Sequence, residues 1–120
     1  MSIVAMIFVA LVALFHIYAL VLEMFLWTKP QGLKTFGNTE AQARESAVLA
    51  ANQGLYNGFL AAGLIWGLAH PNPAFAFQIK VFFLLCVIVA GLYGGYSAKP
   101  RIILVQAVPA LIALVLTWLA

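Results

Sequence analysis

Charge is what this sequence has least of. Among 120 residues only three are acidic and six basic, so charged residues make up 8% of the chain and hydrophobic ones 66%, with a mean hydropathy of +1.09. A soluble domain is about a quarter charged and about half apolar. Here there is too little polar surface to coat a water-soluble globule. Cysteine is nearly absent: Cys86 stands alone inside an apolar run, which excludes an internal disulfide and a thiolate metal cluster. The basic residues form no cluster, which removes nucleic acid as a partner and leaves them as signals of membrane topology. No phosphate loop, nucleophile elbow or paired-carboxylate motif is present. One carboxylate and one histidine within the apolar runs fall short of the three or four protein ligands that a metal site usually needs, so no metal is expected.

What the chain does have is hydrophobic length. Four apolar runs, at about residues 3–27, 46–68, 75–93 and 102–119, approach the roughly 20 residues that cross a bilayer core as helix. The first lacks a basic leader and is too long for a signal-peptide core, so it is expected to remain as a spanning helix. Residues 28–45, which include Lys29, Pro30, Lys34, Glu40, Arg44 and Glu45, have ordinary aqueous composition and read as the main loop. His70-Pro71-Asn72-Pro73 and Lys99-Pro100-Arg101 turn the chain elsewhere. The expected fold is an all-α membrane protein, a single domain over 1–120 that forms a four-transmembrane-helix antiparallel bundle.

Lys29, Lys34, Arg44, Lys99 and Arg101 lie in the first and third loops, against Lys80 alone on the other side. Cytoplasmic loops retain Lys and Arg. This bias places loop 28–45 in the cytoplasm and both termini outside, in a bacterial inner membrane with lipids as neighbours. Gly54 and Gly58, Gly63 and Gly67, and Gly91 and Gly95 have the spacing that lets helices approach closely, within the subunit or across the interface of a homo-oligomer.

Polar groups are costly inside hydrocarbon, which focuses attention on His16 and Glu23 in the first run, Asn52, Gln53, Tyr56 and Asn57 in the second, and Gln106 in the fourth. His16 and Glu23 are two helical turns apart and share a face. Asn52 and Tyr56 fall on one stripe, with Gln53 and Asn57 beside it. Counting from the loop ends puts Glu23 roughly 6 Å and Asn52 roughly 9 Å below the cytoplasmic surface, near Gln106, with His16 and Asn57 deeper. These residues are the candidate ligand site, a cleft with Lys34, Arg44, Tyr93 and Tyr96 near its mouth. Each has a plainer role open to it. Glu23 can snorkel to water or pair with Lys29 or Arg44, His16 can sit neutral against a neighbouring helix, and the amides can be interhelical hydrogen-bond glue. Trp27, Trp66 and Trp118, with Tyr93 and Tyr96, suit an aromatic belt.

The stretches His16-Ile17-Tyr18, Glu23-Met24-Phe25-Leu26-Trp27-Thr28-Lys29-Pro30 and Asn52-Gln53-Gly54-Leu55-Tyr56-Asn57-Gly58 resemble the DUF1304 family over nearly the whole chain. That resemblance implies a small four-helix membrane protein from a bacterium or fungus and brings no activity with it. Asn52 and Tyr93-Gly94-Gly95-Tyr96 are also similar to features of the membrane-associated proteins of eicosanoid and glutathione metabolism, the MAPEG superfamily. That similarity implies trimers binding glutathione near the membrane surface. The chain departs from this second pattern: Arg44 and Glu45 are two turns or more from Asn52, and the third run has no arginine.

Three functions are therefore compatible with these residues. The first is binding or transport of a small amphiphilic or cationic molecule in the cleft, where a carboxylate beside aromatic rings suits a cation. The second is a MAPEG-like membrane enzyme acting on a lipophilic substrate, with His16 or Glu23 as acid or base, Tyr56 as donor, and glutathione or a quinone as co-substrate. The third is a purely structural role. No cofactor can be named from the residues alone.

Overall fold

A computed structural model describes residues 2–120. The chain is all-α, with no strand among the described residues. In chain order the helices are α1 (Ile3–Met24), α2 (Pro30–Phe36), α3 (Glu40–Glu45), α4 (Ala47–Ala69) and α5 (Pro73–Ser97), then a π-helical stretch, Ile103–Ala107, that runs into α6 (Val108–Leu119).

Helix α1 buries Ala5, Val9, Val12, His16 and Glu23, spaced at three, four or seven residues, so they form a single stripe along it. The opposite side, with Ile3, Ile7, Leu11, Leu14 and Tyr18, is exposed and also apolar. A helix on the surface of a soluble protein shows a polar face there instead. Helix α5 repeats the arrangement, burying Ala76, Lys80, Leu84, Val87, Gly91 and Gly95 while exposing Phe75, Phe82, Leu85, Val89 and Leu92.

Helices α1 and α5 are long and apolar enough to cross a membrane. Helix α4 has the length, 23 residues, but Asn52, Gln53 and Asn57 dilute the apolar character of its first half. The segment Ile103–Leu119 is apolar but shorter. Each of the four expected runs contains a helix, and two of these helices meet both conditions.

The chain divides into two compact units, one formed by the residues up to Leu14 with Leu60–Ala120, the other by Phe15–Phe59. The core of the first contains Val9, Val12, Ala13, Leu64, Leu84, Val87, Ala110 and Ala113. Its α5 approaches the π-helical stretch closely because glycines face it: a Cβ on Gly91 would lie 2.7 Å from the Ala107 backbone nitrogen, and one on Gly95 2.1 Å from Ile103 Cγ1. Pro109 has no N–H to donate to the carbonyl one turn back. The π-helical stretch immediately before it absorbs that misfit, with the Val108 N–H donating to the Ile103 carbonyl.

In the Phe15–Phe59 unit the segment read as a loop is built from two short helices. Pro30 opens α2 at a position where its missing N–H costs nothing. Gly37, at φ 70°, closes α2 in the left-handed conformation, its N–H donating to the Leu33 carbonyl. Thr39 and Gln42 then form a reciprocal capping box at the start of α3. Helix α1 ends at Met24 rather than continuing to Trp27. Once out of the helix, Trp27 donates its indole N–H to Ser46 Oγ (3.1 Å) and packs on Phe36 at 4.8 Å between ring centroids, which ties both ends of the connecting segment together.

Candidate ligand-binding site

Within the Phe15–Phe59 unit, Glu23 occupies the last turn of α1 and is 6% exposed. Asn57 reaches it from α4, donating its side-chain amide to the Glu23 carboxylate at 2.5 Å. Two glycines make this short reach possible. A Cβ on Gly54 would stand 2.7 Å from Met24 Cγ and 3.0 Å from Glu23 Cβ, and one on Gly58 would stand 2.7 Å from Leu20 Cδ1. The lack of a side chain at these positions lets α4 lie this close to α1 without displacing Met24 or Leu20. Their spacing is therefore used inside the subunit.

His16, two turns before Glu23 on the same stripe, is 1% exposed, with its ring edge-on to Phe15 at 5.4 Å. Buried imidazole and buried carboxylate thus lie about 10 Å apart along α1. Among the described residues Asn57 is the hydrogen-bond partner of Glu23. A carboxylate accepts up to about four hydrogen bonds, so the group has capacity for a ligand. No three His, Cys, Asp or Glu side chains among the described residues are grouped as a metal site.

The other residues singled out from the sequence have different surroundings. Asn52 is exposed and donates its amide to the Val48 carbonyl of its own helix (2.9 Å). Gln53 is exposed, and Tyr56 is exposed beside Phe59. Glu23 therefore pairs with Asn57 rather than Asn52. Depth counting from the loop ends assumed that α1 and α4 begin level. In fact Asn57 lies ten residues, about 15 Å, into α4, while Glu23 lies one residue from the end of α1. Arg44 forms an i,i+4 ion pair with Glu40 on exposed α3, and Lys34 is exposed in the last turn of α2. In the other unit, Gln106 is half-buried within the π-helical stretch, and Tyr93 and Tyr96 are exposed in the last turns of α5.

One residue with functional potential escaped the sequence reading. Lys80, counted there only as a flanking charge, is 2% exposed within the buried stripe of α5. The signal available was its place seven residues inside an apolar helix, too deep for a residue that simply marks an interface.

Among known proteins, the chain is similar to an uncharacterised protein, YpaA, of Lactococcus lactis subsp. lactis (strain IL1403), with 32% identity over 117 residues that cover 96% of this chain and 97% of that protein. No solved structure matches it. The family model described as protein of unknown function (DUF1304) matches residues 10–118, nearly the full length over which the buried and exposed stripes run, and the chain belongs to the DUF1304 family.

Proposed function

We propose that this protein is an integral membrane protein that binds a small amphiphilic cation, with Glu23 as the counter-charge and Asn57 as the residue that holds the carboxylate in place. The carrying observation is that buried Glu23, on a helix whose exposed surface is apolar, is paired with half-buried Asn57 of α4. A carboxylate withdrawn from water is costly to ionise without a positive partner. A cation with a hydrophobic body satisfies both the charge and the surroundings.

The membrane assignment draws on α1 and α5. In each, only 28% of the residues in the most apolar window are buried. So much apolar surface left facing water would be unfavourable at about 25 cal/mol per Å², whereas in lipid it is the stable arrangement. Four crossings, with α4 and the 103–119 segment as the others, and both termini on the non-cytoplasmic side of a bacterial inner membrane, follow from run length and the distribution of Lys and Arg. Transport by four helices would favour a homo-oligomer.

The test is equilibrium binding of dodecyltrimethylammonium to the purified protein in neutral detergent, with dodecyl maltoside as the uncharged control. Saturable binding that falls at least about tenfold in Glu23→Gln supports the reading, since a lost charge-assisted contact is of that order. Equal binding by both proteins overturns it. Copurification of a thiol instead of an amine would favour the enzyme reading.

A further inference from the structure

The unit formed by the residues up to Leu14 and Leu60–Ala120 contains a second polar site, unrelated to Glu23. The antiparallel register that sets Gly95 against Ile103 and Gly91 against Ala107 brings Lys80 of α5 level with Thr117 of α6. The tilted contact of Phe77 with Trp118, with ring centroids 5.3 Å apart, lies at the same level. Lys80 and Thr117 are 2% and 4% exposed, and both line a cavity of about 220 Å³ whose other walls are Ala5, Pro73, Phe77 and Ala120.

Thr117 is unusual among the hydroxyls of this chain. A serine or threonine in a helix ordinarily returns its proton to the carbonyl one turn back. Thr35 does so to Gln31, Ser46 to Gln42 and Ser97 to Tyr93, at 2.7, 2.9 and 2.7 Å. Thr117 Oγ1 is buried with no hydrogen-bond partner among the described residues. The buried positions before it on its stripe are Ala107, Ala110 and Ala113. A methyl group would continue that packing. A hydroxyl here instead supplies a donor to the cavity, opposite an ammonium that has three donors of its own.

We infer that this cavity binds an oxyanion, carboxylate or phosphate, with Lys80 as counter-charge and Thr117 as hydroxyl donor. Its apolar walls at Ala5, Pro73 and Phe77 suit the first carbons attached to such a group. The volume holds a head group and not an alkyl chain.

The experiment measures binding of acetate, inorganic phosphate, dodecanoate and monododecyl phosphate to the full chain in neutral detergent, by thermal shift and by isothermal titration. Dodecyltrimethylammonium, whose binding is proposed at Glu23, serves as the charge-reversed control and should not weaken in Lys80→Met. Saturable binding of an anion is expected to weaken at least about tenfold in Lys80→Met and severalfold in Thr117→Val. Lys29→Gln, an exposed charge in the loop, leaves it unchanged. Binding of the small anions identifies a soluble oxyanion, and binding of the dodecyl compounds alone identifies a lipid-borne one; either supports the site. If Lys80→Met fails to fold, Lys80→Arg and the near-isosteric Thr117→Val decide the matter: the former retains binding and the latter weakens it. Anion binding that is absent, equal in Thr117→Val and wild type, or weakened by Lys80→Met no more than ammonium binding is overturns the inference.

Discussion

Asn57 and Glu23, 34 residues apart in sequence, are joined by a side-chain hydrogen bond between α4 and α1, beside two glycines where a Cβ would press on Met24 and Leu20 side chains. The bond depends on that close approach, because the asparagine side chain is short. Structure and function can be separated at this pair. Glutamine at position 23 keeps a carbonyl oxygen to accept from Asn57 and loses only the charge.

Glu23→Gln is accordingly expected to change unfolding stability by less than about 1 kcal/mol, whereas Asn57→Ala, which leaves the carboxylate buried without its donor, costs about 1–3 kcal/mol. The Glu23→Ala and Asn57→Ala double-mutant cycle should show a coupling of about 0.5–3 kcal/mol. Denaturant titration in mixed micelles measures all of these. Additive behaviour would mean that the two side chains do not interact.

His16 and Glu23 were legible as a shared face from their spacing alone, because seven residues return a helix to nearly the same azimuth. The partner on α4 was not. The ends of the apolar runs do not mark the ends of the helices: α1 stops at Met24 and the chain spends Phe25–Lys29 on turns that carry Trp27 to Ser46. Gly54 and Gly58 held the better clue, since the smallest residues on α4 mark the line of closest approach and Asn57 lies next to that line. Asn52 is one turn nearer the loop and satisfies its amide on Val48. Likewise, the capping signals Pro30, Thr39 and Gln42 were present in a segment read only by its composition. Lys80 was misread because charge counting treats a lysine as marking a surface, whereas the buried stripe of α5 includes it.

The distribution of basic residues predicts that a reporter fused after Ala120 is active only outside the cytoplasm, and that one inserted after Gly37, at the turn between α2 and α3, reports the cytoplasm. The opposite pattern at both positions would reverse the orientation. Cytoplasmic activity at both would remove one or all three of the crossings that follow Gly37.

The glycine pairs pack within the chain. Gly54 and Gly58 meet α1, Gly63 meets Phe83, and Gly91 and Gly95 meet the π-helical stretch. Replacing Gly91 with leucine should therefore lower stability by about 1–3 kcal/mol, the range for overpacking, and leave the oligomeric state of the folded fraction as in wild type. Native mass spectrometry showing loss of an oligomer at full stability would assign Gly91 to an interface between subunits instead.

Gly32 and Gly54 test which contact is the more rigid. A Cβ at Gly32 would lie 2.0 Å from the Leu26 carbonyl oxygen, with backbone carbon also within 2.8 Å. A Cβ at Gly54 would first meet the Met24 Cγ, which belongs to a flexible side chain. Backbone can move away only by displacing α2, and with it the packing of Phe36 on Trp27 and the Trp27–Ser46 hydrogen bond. A methionine can change rotamer. Gly32→Ala is thus expected to be the more damaging of the two, at the upper end of the about 1–3 kcal/mol range for inserted methyl groups, and Gly54→Ala at the lower end. Tryptophan fluorescence offers a second readout: Gly32→Ala should shift the emission of Trp27 towards that of a solvated indole, while Gly54→Ala leaves it in place. Trp66→Phe and Trp118→Phe in the background isolate that signal. If Gly32→Ala were neutral in both stability and emission, the turn at Phe25–Lys29 would not be clamped by α2, and the early end of α1 would need another cause.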